Sequence, residues 1–324
     1  MKILPSGSRP LTRFTQSQST SIPHSSMLIR FLTLFAAAAV MASTAPAATA
    51  SPDLPAAVAL FNAGQSAEAQ VALARLAVTT PDNPEVNFYL GQLAFQRSDY
   101  PQAIACLEKA VTVAPADARL QNALGWAYSE SAHNSKDNVF SKFSQGRKGL
   151  AAFERAVALA PRNTDYRLSL LGYYQDAPFI VGGSMRKAYA QAEAIQQLDP
   201  LRGTRALGVL AVADKNYSQA ATAFAAVLRL APTDYLALYQ TGKLAVLTGQ
   251  QLDQGLAALT KCLGLAVPAD APPHAAAQWR IGQILEKKNA LADARRAYEA
   301  ALQLDPKLDG ALQSLNNLPA EPQS

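Results

Sequence analysis

The sequence is poor in the residues that carry most enzyme chemistry. Its 324 residues include only three histidines and two cysteines. His133 and His274 are the histidines beyond residue 50, and each falls in an insert rather than beside a carboxylate or cysteine. No HExxH or CxxC spacing occurs, and no GxSxG elbow, GxGxxG turn or phosphate-binding loop; Gly242-Lys243 is followed by Leu244, not Ser or Thr. These gaps remove the common metal, redox, serine-hydrolase and nucleotide signatures. The expectation is a protein without catalytic residues, metal or cofactor.

Charge of one sign is also scarce. The formal net charge is +5, with 29 basic and 24 acidic residues. Lys2, Arg9, Arg13 and Arg30 lie in a first fifty residues that contain no Asp or Glu, and without them 25 basic residues face 24 acidic ones. A near-neutral body with interleaved signs offers no electrostatic footprint for DNA or RNA. Long apolar runs are missing too. The best one, Phe31 to Ala42, has Thr33 as its only polar member and falls short of the roughly 20 residues a spanning helix needs.

That run has Arg30 before it and a small-residue stretch after it, ending Ala48-Thr49-Ala50 ahead of Ser51. The combination describes a secretory leader over 1–50 cleaved after Ala50, with Met27 as an alternative start. An uncleaved anchor and an organelle transit peptide are the other readings. The expected location is the periplasm or the exterior, with no membrane span once the leader is removed.

What the sequence has in plenty is apolar residues, 49% of the total against 16% charged, and they recur with a period. Leu54 to Pro81 and Asn87 to Pro115 fall into register at a spacing of 34. A small residue repeats at Ala57, Gly91, Gly125, Gly172, Gly208, Gly242 and Gly282. A second repeats at Ala69, Ala103, Gly149, Ala188, Ala220, Gly255 and Ala294. Four residues later comes Leu73, Leu107, Phe153, Ala192, Phe224, Leu259 or Tyr298, on the same helix face. Each unit closes at a proline: Pro81, Pro115, Pro161, Pro200, Pro232, Pro268 and Pro306. Glycine costs about 1 kcal/mol against alanine inside a helix, so its recurrence asks for close helix–helix approach.

This pattern resembles the tetratricopeptide repeat, a pair of antiparallel helices stacked in series. The resemblance implies an all-α fold, a right-handed α-solenoid of about seven hairpins over 51–306. Residues 307–317 read as a capping helix and 318–324 as a tail. Cys106 and Cys262 then lie four repeats apart, too far for a disulfide, and read as small buried hydrophobes. Three stretches break the period, near 129–146, 174–184 and 268–273. Within the second, Gly182-Gly183-Ser184 opens a helix whose first turn holds Arg186 and Lys187. It reads either as an ordinary glycine turn with a serine cap or as an anion-binding turn.

The resemblance further implies that partners bind the concave groove lined by the first helices. The family's groove slots fall here on Phe61 and Asn62, then Phe88, Gln92 and Phe95. Next come Asn122, Trp126 and Glu130, then Tyr166, Ser169 and Tyr173. Arg202 and Arg205, Tyr239 and Lys243, and Trp279 and Gln283 complete the set. The same aromatics can instead pack between neighbouring helices. The lysine and asparagine with which some relatives clamp a terminal carboxylate are replaced by Leu54 and Val58. The expected function is an interaction scaffold for a protein or peptide. Self-association, or a place as accessory subunit in an envelope assembly, stands as the alternative.

Overall fold

The computed structural model describes residues 53–134, 139–268 and 271–319, and among them every regular element is helical. Seven antiparallel pairs follow one another. The first three are α1 (Leu54–Asn62) with α2 (Ser66–Thr79), α3 (Pro84–Gln96) with α4 (Tyr100–Val113), and α5 (Ala118–Asn134) with α6 (Val139–Leu159). Then come α7 (Thr164–Asp176) with α8 (Met185–Leu198), α9 (Pro200–Ala213) with α10 (Tyr217–Leu230), α11 (Tyr235–Thr248) with α12 (Leu252–Leu263), and α13 (His274–Lys287) with α14 (Leu291–Leu304). A last helix, α15 (Asp309–Asn317), closes the stack. The architecture is an all-α solenoid, as the repeat pattern leads one to expect.

Local chemistry sets the helix starts. Asn83 and Asn163 each accept hydrogen bonds from two amides in the first turn of α3 and α7, which satisfies donors the helix cannot use itself. Asp99, Asp199, Asn216 and Asp234 do the same for α4, α9, α10 and α11. Asp199 both ends α8 and caps α9, so Pro200 opens a first helix rather than closing the hairpin before it.

The turn inside each ordinary hairpin also repeats. Gly64, Ser98, Lys215, Gly249 and Asn289 all take a left-handed backbone, with φ of 75°, 60°, 58°, 69° and 60°. The geometry needs that conformation after each of these five first helices, and only two of the five positions hold glycine.

The small-residue slots do bring helices close. A Cβ added to Gly125 would sit 2.6 Å from the Phe153 ring, and one on Gly208 2.9 Å from the Phe224 ring. Leu259 and Tyr298 lie still closer to Gly242 and Gly282. Each filler is buried, as are Ala69, Ala103, Ala188, Ala220 and Ala294. Five of the hairpins thus lock a large side chain of the second helix, Leu107, Phe153, Phe224, Leu259 or Tyr298, against a glycine notch in the first, and no closed core is required.

The period breaks turn out to be structured. The extra residues near 129–146 chiefly lengthen α5 and α6, to 17 and 21 residues, where neighbouring helices have 13 or 14. In the break over 174–184 a short 3₁₀ turn, Phe179–Val181, tucks Val181 inward. The connector near 268–273 is pinned by Tyr235, whose hydroxyl donates to the Pro272 carbonyl at 2.8 Å. His274 Nε2 lies 3.1 and 3.0 Å from the Cys262 and Leu265 carbonyls and so caps the end of α12. Both cysteines are buried and unbridged, and burial pushes the Cys262 thiol up to about 12. They pack as inert small hydrophobes. Leu318, placed with the tail by the sequence, is instead buried against the last hairpin, and Arg295 donates to the Pro319 carbonyl.

Candidate partner-binding face

Consecutive first helices approach one another directly along much of the stack, α1 to α3, α3 to α5, α5 to α7, α11 to α13 and α13 to α15, more closely than consecutive second helices do. The array therefore curves with its first helices on the inner face. The residues on the groove slots lie along these helices, and the structure gives them unequal surroundings.

At the N-terminal end the slots are largely self-satisfied. Phe61 packs edge-on to Tyr89 at 5.1 Å, and Phe88 is buried beneath the Arg119 guanidinium, 4.6 Å from its ring centroid. Arg119 also pairs with Glu85 and Asp117. Gln92 is buried, Phe95 packs against Tyr100 at 5.7 Å, and Asn62 is exposed.

In the middle, slot residues of successive repeats bind each other. Trp126 stands edge-on to Phe153 at 5.4 Å and donates its indole N–H to Ser169 Oγ at 3.2 Å. Ser169 in turn donates to the Asp165 carbonyl. Asn122 is buried with its Oδ1 unpartnered, Tyr166 is half-buried, and Glu130 accepts from Asn134. Tyr173 is buried, and its hydroxyl donates to the Gly146 carbonyl at 2.6 Å with the Val181 carbonyl 3.0 Å away. That hydroxyl ties two insertions together; burial, then the Glu154 charge, pushes its pKa up to about 12.

The C-terminal half is cationic. Arg202 bonds Thr164 at 2.7 Å and Asp165 at 2.5 Å, and Arg205 pairs with Asp234, the capping residue of α11. Tyr239 is buried. Lys243 is half-buried and pairs with no carboxylate among the described residues; burial, then the Arg280 charge, holds its ammonium below the usual lysine range. Arg280 lies over the Trp279 ring at 4.2 Å and donates to Gln283 Oε1 at 2.7 Å, yet its Nε is buried without a partner. Arg205 Nε and Gln240 Oε1 are left in the same condition. Trp279 itself donates to Ser314 Oγ at 3.0 Å and lays its ring on Gly310, so it anchors α15.

Arg119 and Arg280 were not among the slots read from the sequence. Arg119 stands 34 residues after its partner Glu85, one repeat on, so the pairing is recoverable once the period is known. Arg280 has no such signature, because the absence of a nearby acid is a property of the packed array.

The amides of Gly182, Gly183 and Ser184 are all engaged within the protein. The Gly182 amide donates to the Phe179 carbonyl at 2.9 Å, Gly183 to Pro178 at 3.1 Å and Ser184 to Tyr174 at 2.7 Å. No amide of the three is left to cradle an anion. The Ser184 side chain caps α8 through Lys187, and a Cβ on Gly183 would collide with the Ala177 carbonyl. The turn is a packing joint. Among the described residues no cluster of His, Cys, Asp or Glu has the arrangement of a metal site.

Comparison with known proteins agrees with this geometry. A tetratricopeptide-repeat family model matches residues 54–118, 93–130 and 245–309. No curated protein matches the sequence. Among solved structures, a tetratricopeptide repeat protein from Parabacteroides merdae superposes with a TM-score of 0.59 at 13% identity, covering 81% of this chain and 96% of that one. PilW, described as a type IV pilus biogenesis factor, gives 0.53 at 16% identity over 72% of this chain and 98% of its own. PilF of Pseudomonas aeruginosa gives 0.52 at 16% identity, covering 71% and 95%. Identities this low speak for the fold alone. With seven stacked helix pairs, small-residue notches in register and family matches at both ends of the array, the chain carries tetratricopeptide repeats.

Proposed function

We propose that this solenoid is an exported scaffold whose inner face, from α9 to α13, receives an acidic segment of a protein or peptide. The observation that carries this reading is the pair Lys243 and Arg280. Two cations share a half-buried site without a carboxylate among the described residues, although like charges at close range penalise each other. Clusters of this kind are kept where a ligand supplies the missing charge. The unpartnered Arg205 Nε, Gln240 Oε1 and Arg280 Nε add hydrogen-bonding capacity on the same three first helices. Tetratricopeptide arrays in general mediate protein interactions, and Tyr239 and Trp279 supply the aromatic surroundings typical of interface anchors.

Export rests on the leader pattern over 1–50, which lies outside the described residues. N-terminal sequencing of the exported protein, with Ser51 expected as first residue, tests it. An intact leader on protein from the cytosolic fraction would refute it.

The groove reading is tested with a glutamate-rich peptide, followed through the fluorescence of Trp279 beside Arg280. Binding is expected to weaken as salt rises and to fall at least tenfold in the Lys243→Met/Arg280→Met variant. A folded variant that binds the peptide as the wild type does would sink the assignment.

A further inference from the structure

The two insertions that break the repeat period meet at one edge of the solenoid. The lengthened α5–α6 hairpin carries α6 about 10 Å beyond the neighbouring second helices, since its seven additional residues each rise about 1.5 Å. The 3₁₀ turn between α7 and α8 lies against its flank. A Cβ on Gly146 would touch Val181 at 3.3 Å, and one on Gly182 would strike Leu150. Arg147 reaches the Ile180 carbonyl at 3.4 Å, and Tyr173 bonds from below to Gly146 and Val181.

This edge exposes apolar side chains to an unusual degree. Phe140 is 84% exposed and Phe179 is 90% exposed, and among the described residues no other phenylalanine is comparably bare. Val139 and Ile180 join them at 59% and 52%. Phe140 and Arg147 are seven residues apart on α6, hence on one helix face, and Arg147 touches Ile180. The two phenylalanines therefore belong to one surface. The other exposed large hydrophobics fall elsewhere, on α2, α4, α10, α14 and α15 among other places.

Nothing in the hairpin packing explains this arrangement, because Val181 and Tyr173 already secure the joint from the inside. Among the described residues the charges on these two insertions and the start of α8 are mainly of one sign. Arg147, which touches Ile180, and Arg186 are exposed and Lys142 is half-buried, with Asp176 as the acidic residue. Apolar side chains that protrude with cations at their base match the chemistry of an anionic bilayer surface: hydrocarbon takes the rings while headgroup phosphates meet the guanidinium groups. Among the described residues no helix is long and apolar enough to cross a membrane, so the association suited to this edge is peripheral.

The geometry points to the edge formed by Val139, Phe140, Phe179 and Ile180 as a docking surface for anionic phospholipid. It stands apart from the acidic-segment site on α9 to α13, so the scaffold lies on a membrane while its groove stays open. The test is co-sedimentation of the full chain with phosphatidylcholine vesicles containing about one-third phosphatidylglycerol, with pure phosphatidylcholine as comparison. The chain is expected to pellet with the anionic vesicles. Phe140→Ser/Phe179→Ser is expected to lower that partition at least tenfold, and Arg147→Glu/Arg186→Glu at least threefold, with unchanged melting. Residues 1–50 are common to all variants, so binding through them appears as equal partition of wild type and double-serine variant, which would overturn the proposal. It would equally be overturned if sedimentation velocity showed a wild-type dimer that the serine changes dissolve while vesicle binding stays the same, since the edge would then hold a second copy.

Discussion

Tyr173 Oη donates to the Gly146 carbonyl at 2.6 Å, and this bond joins α7 to the lengthened part of α6. Burial keeps the phenol protonated well past neutral pH, so the donor is constant across physiological conditions. Tyr173→Phe retains the ring and removes the bond. The expected cost is about 1 kcal/mol, read by chemical denaturation. Amide exchange should speed up selectively over 139–150 and 179–184. Uniform exchange with unchanged stability would show that the insertions are held by apolar contacts alone.

Gly125 faces Phe153 so closely that any side chain must displace the ring. Gly125→Leu, and Ala220→Leu at a fully buried position, are expected to lose about 1–3 kcal/mol through overpacking. Thermal melting that matches wild type for both would contradict the notch-and-filler packing.

Lys215 occupies the left-handed turn position that Gly64 and Gly249 hold in other hairpins. A side chain there bears steric strain that glycine does not. Lys215→Gly is therefore expected to stabilise the chain by about 0.5–1 kcal/mol, after the larger entropy of glycine in the unfolded state is deducted. A loss in urea unfolding would mean that the lysine side chain is held by contacts worth more than the strain.

Trp279 bonds Ser314 and covers Gly310, which makes it the clasp of α15. Trp279→Ala should cost about 3 kcal/mol and abolish amide protection over 309–317 before the rest of the array opens. Protection that survives there would assign the closure to Leu318 and Tyr298 instead.

Lys243 is expected to destabilise the free protein. Its pKa in the fold lies below the unfolded value of about 10.4, so the folded state binds fewer protons than the unfolded one between the two values. The penalty is absent above the unfolded pKa, grows as pH falls through the window, and is complete at neutrality. Lys243→Met should thus raise the neutral-pH melting temperature by about 1–3 °C while weakening capture of acidic peptide. The gain should disappear above the unfolded pKa. A lower melting temperature at neutral pH would show the ammonium to be favourably placed without a ligand.

The sequence alone determined the helix pairs, because a notch every repeat and a filler four residues beyond its small partner specify local packing between segments close in the chain. Gly91 with Leu107, and Gly125 with Phe153, are visible as pattern before any coordinates are. The pairing of Glu85 with Arg119 was legible in the same way once the period was counted. Residues outside the period were not. The left-handed turn at Ser98 and Lys215 carries no glycine to announce it. The amides of Gly182 to Ser184 read equally as an anion cradle or a spent joint until their acceptors on Pro178, Phe179 and Tyr174 were in place. Whether Lys243 and Arg280 find a carboxylate, and whether Phe140 and Phe179 share a surface, depends on which repeats curve toward each other and how far an insertion projects. Those distances are set by the summed rotation of the stack, to which every hairpin contributes, so only the tertiary structure decided them.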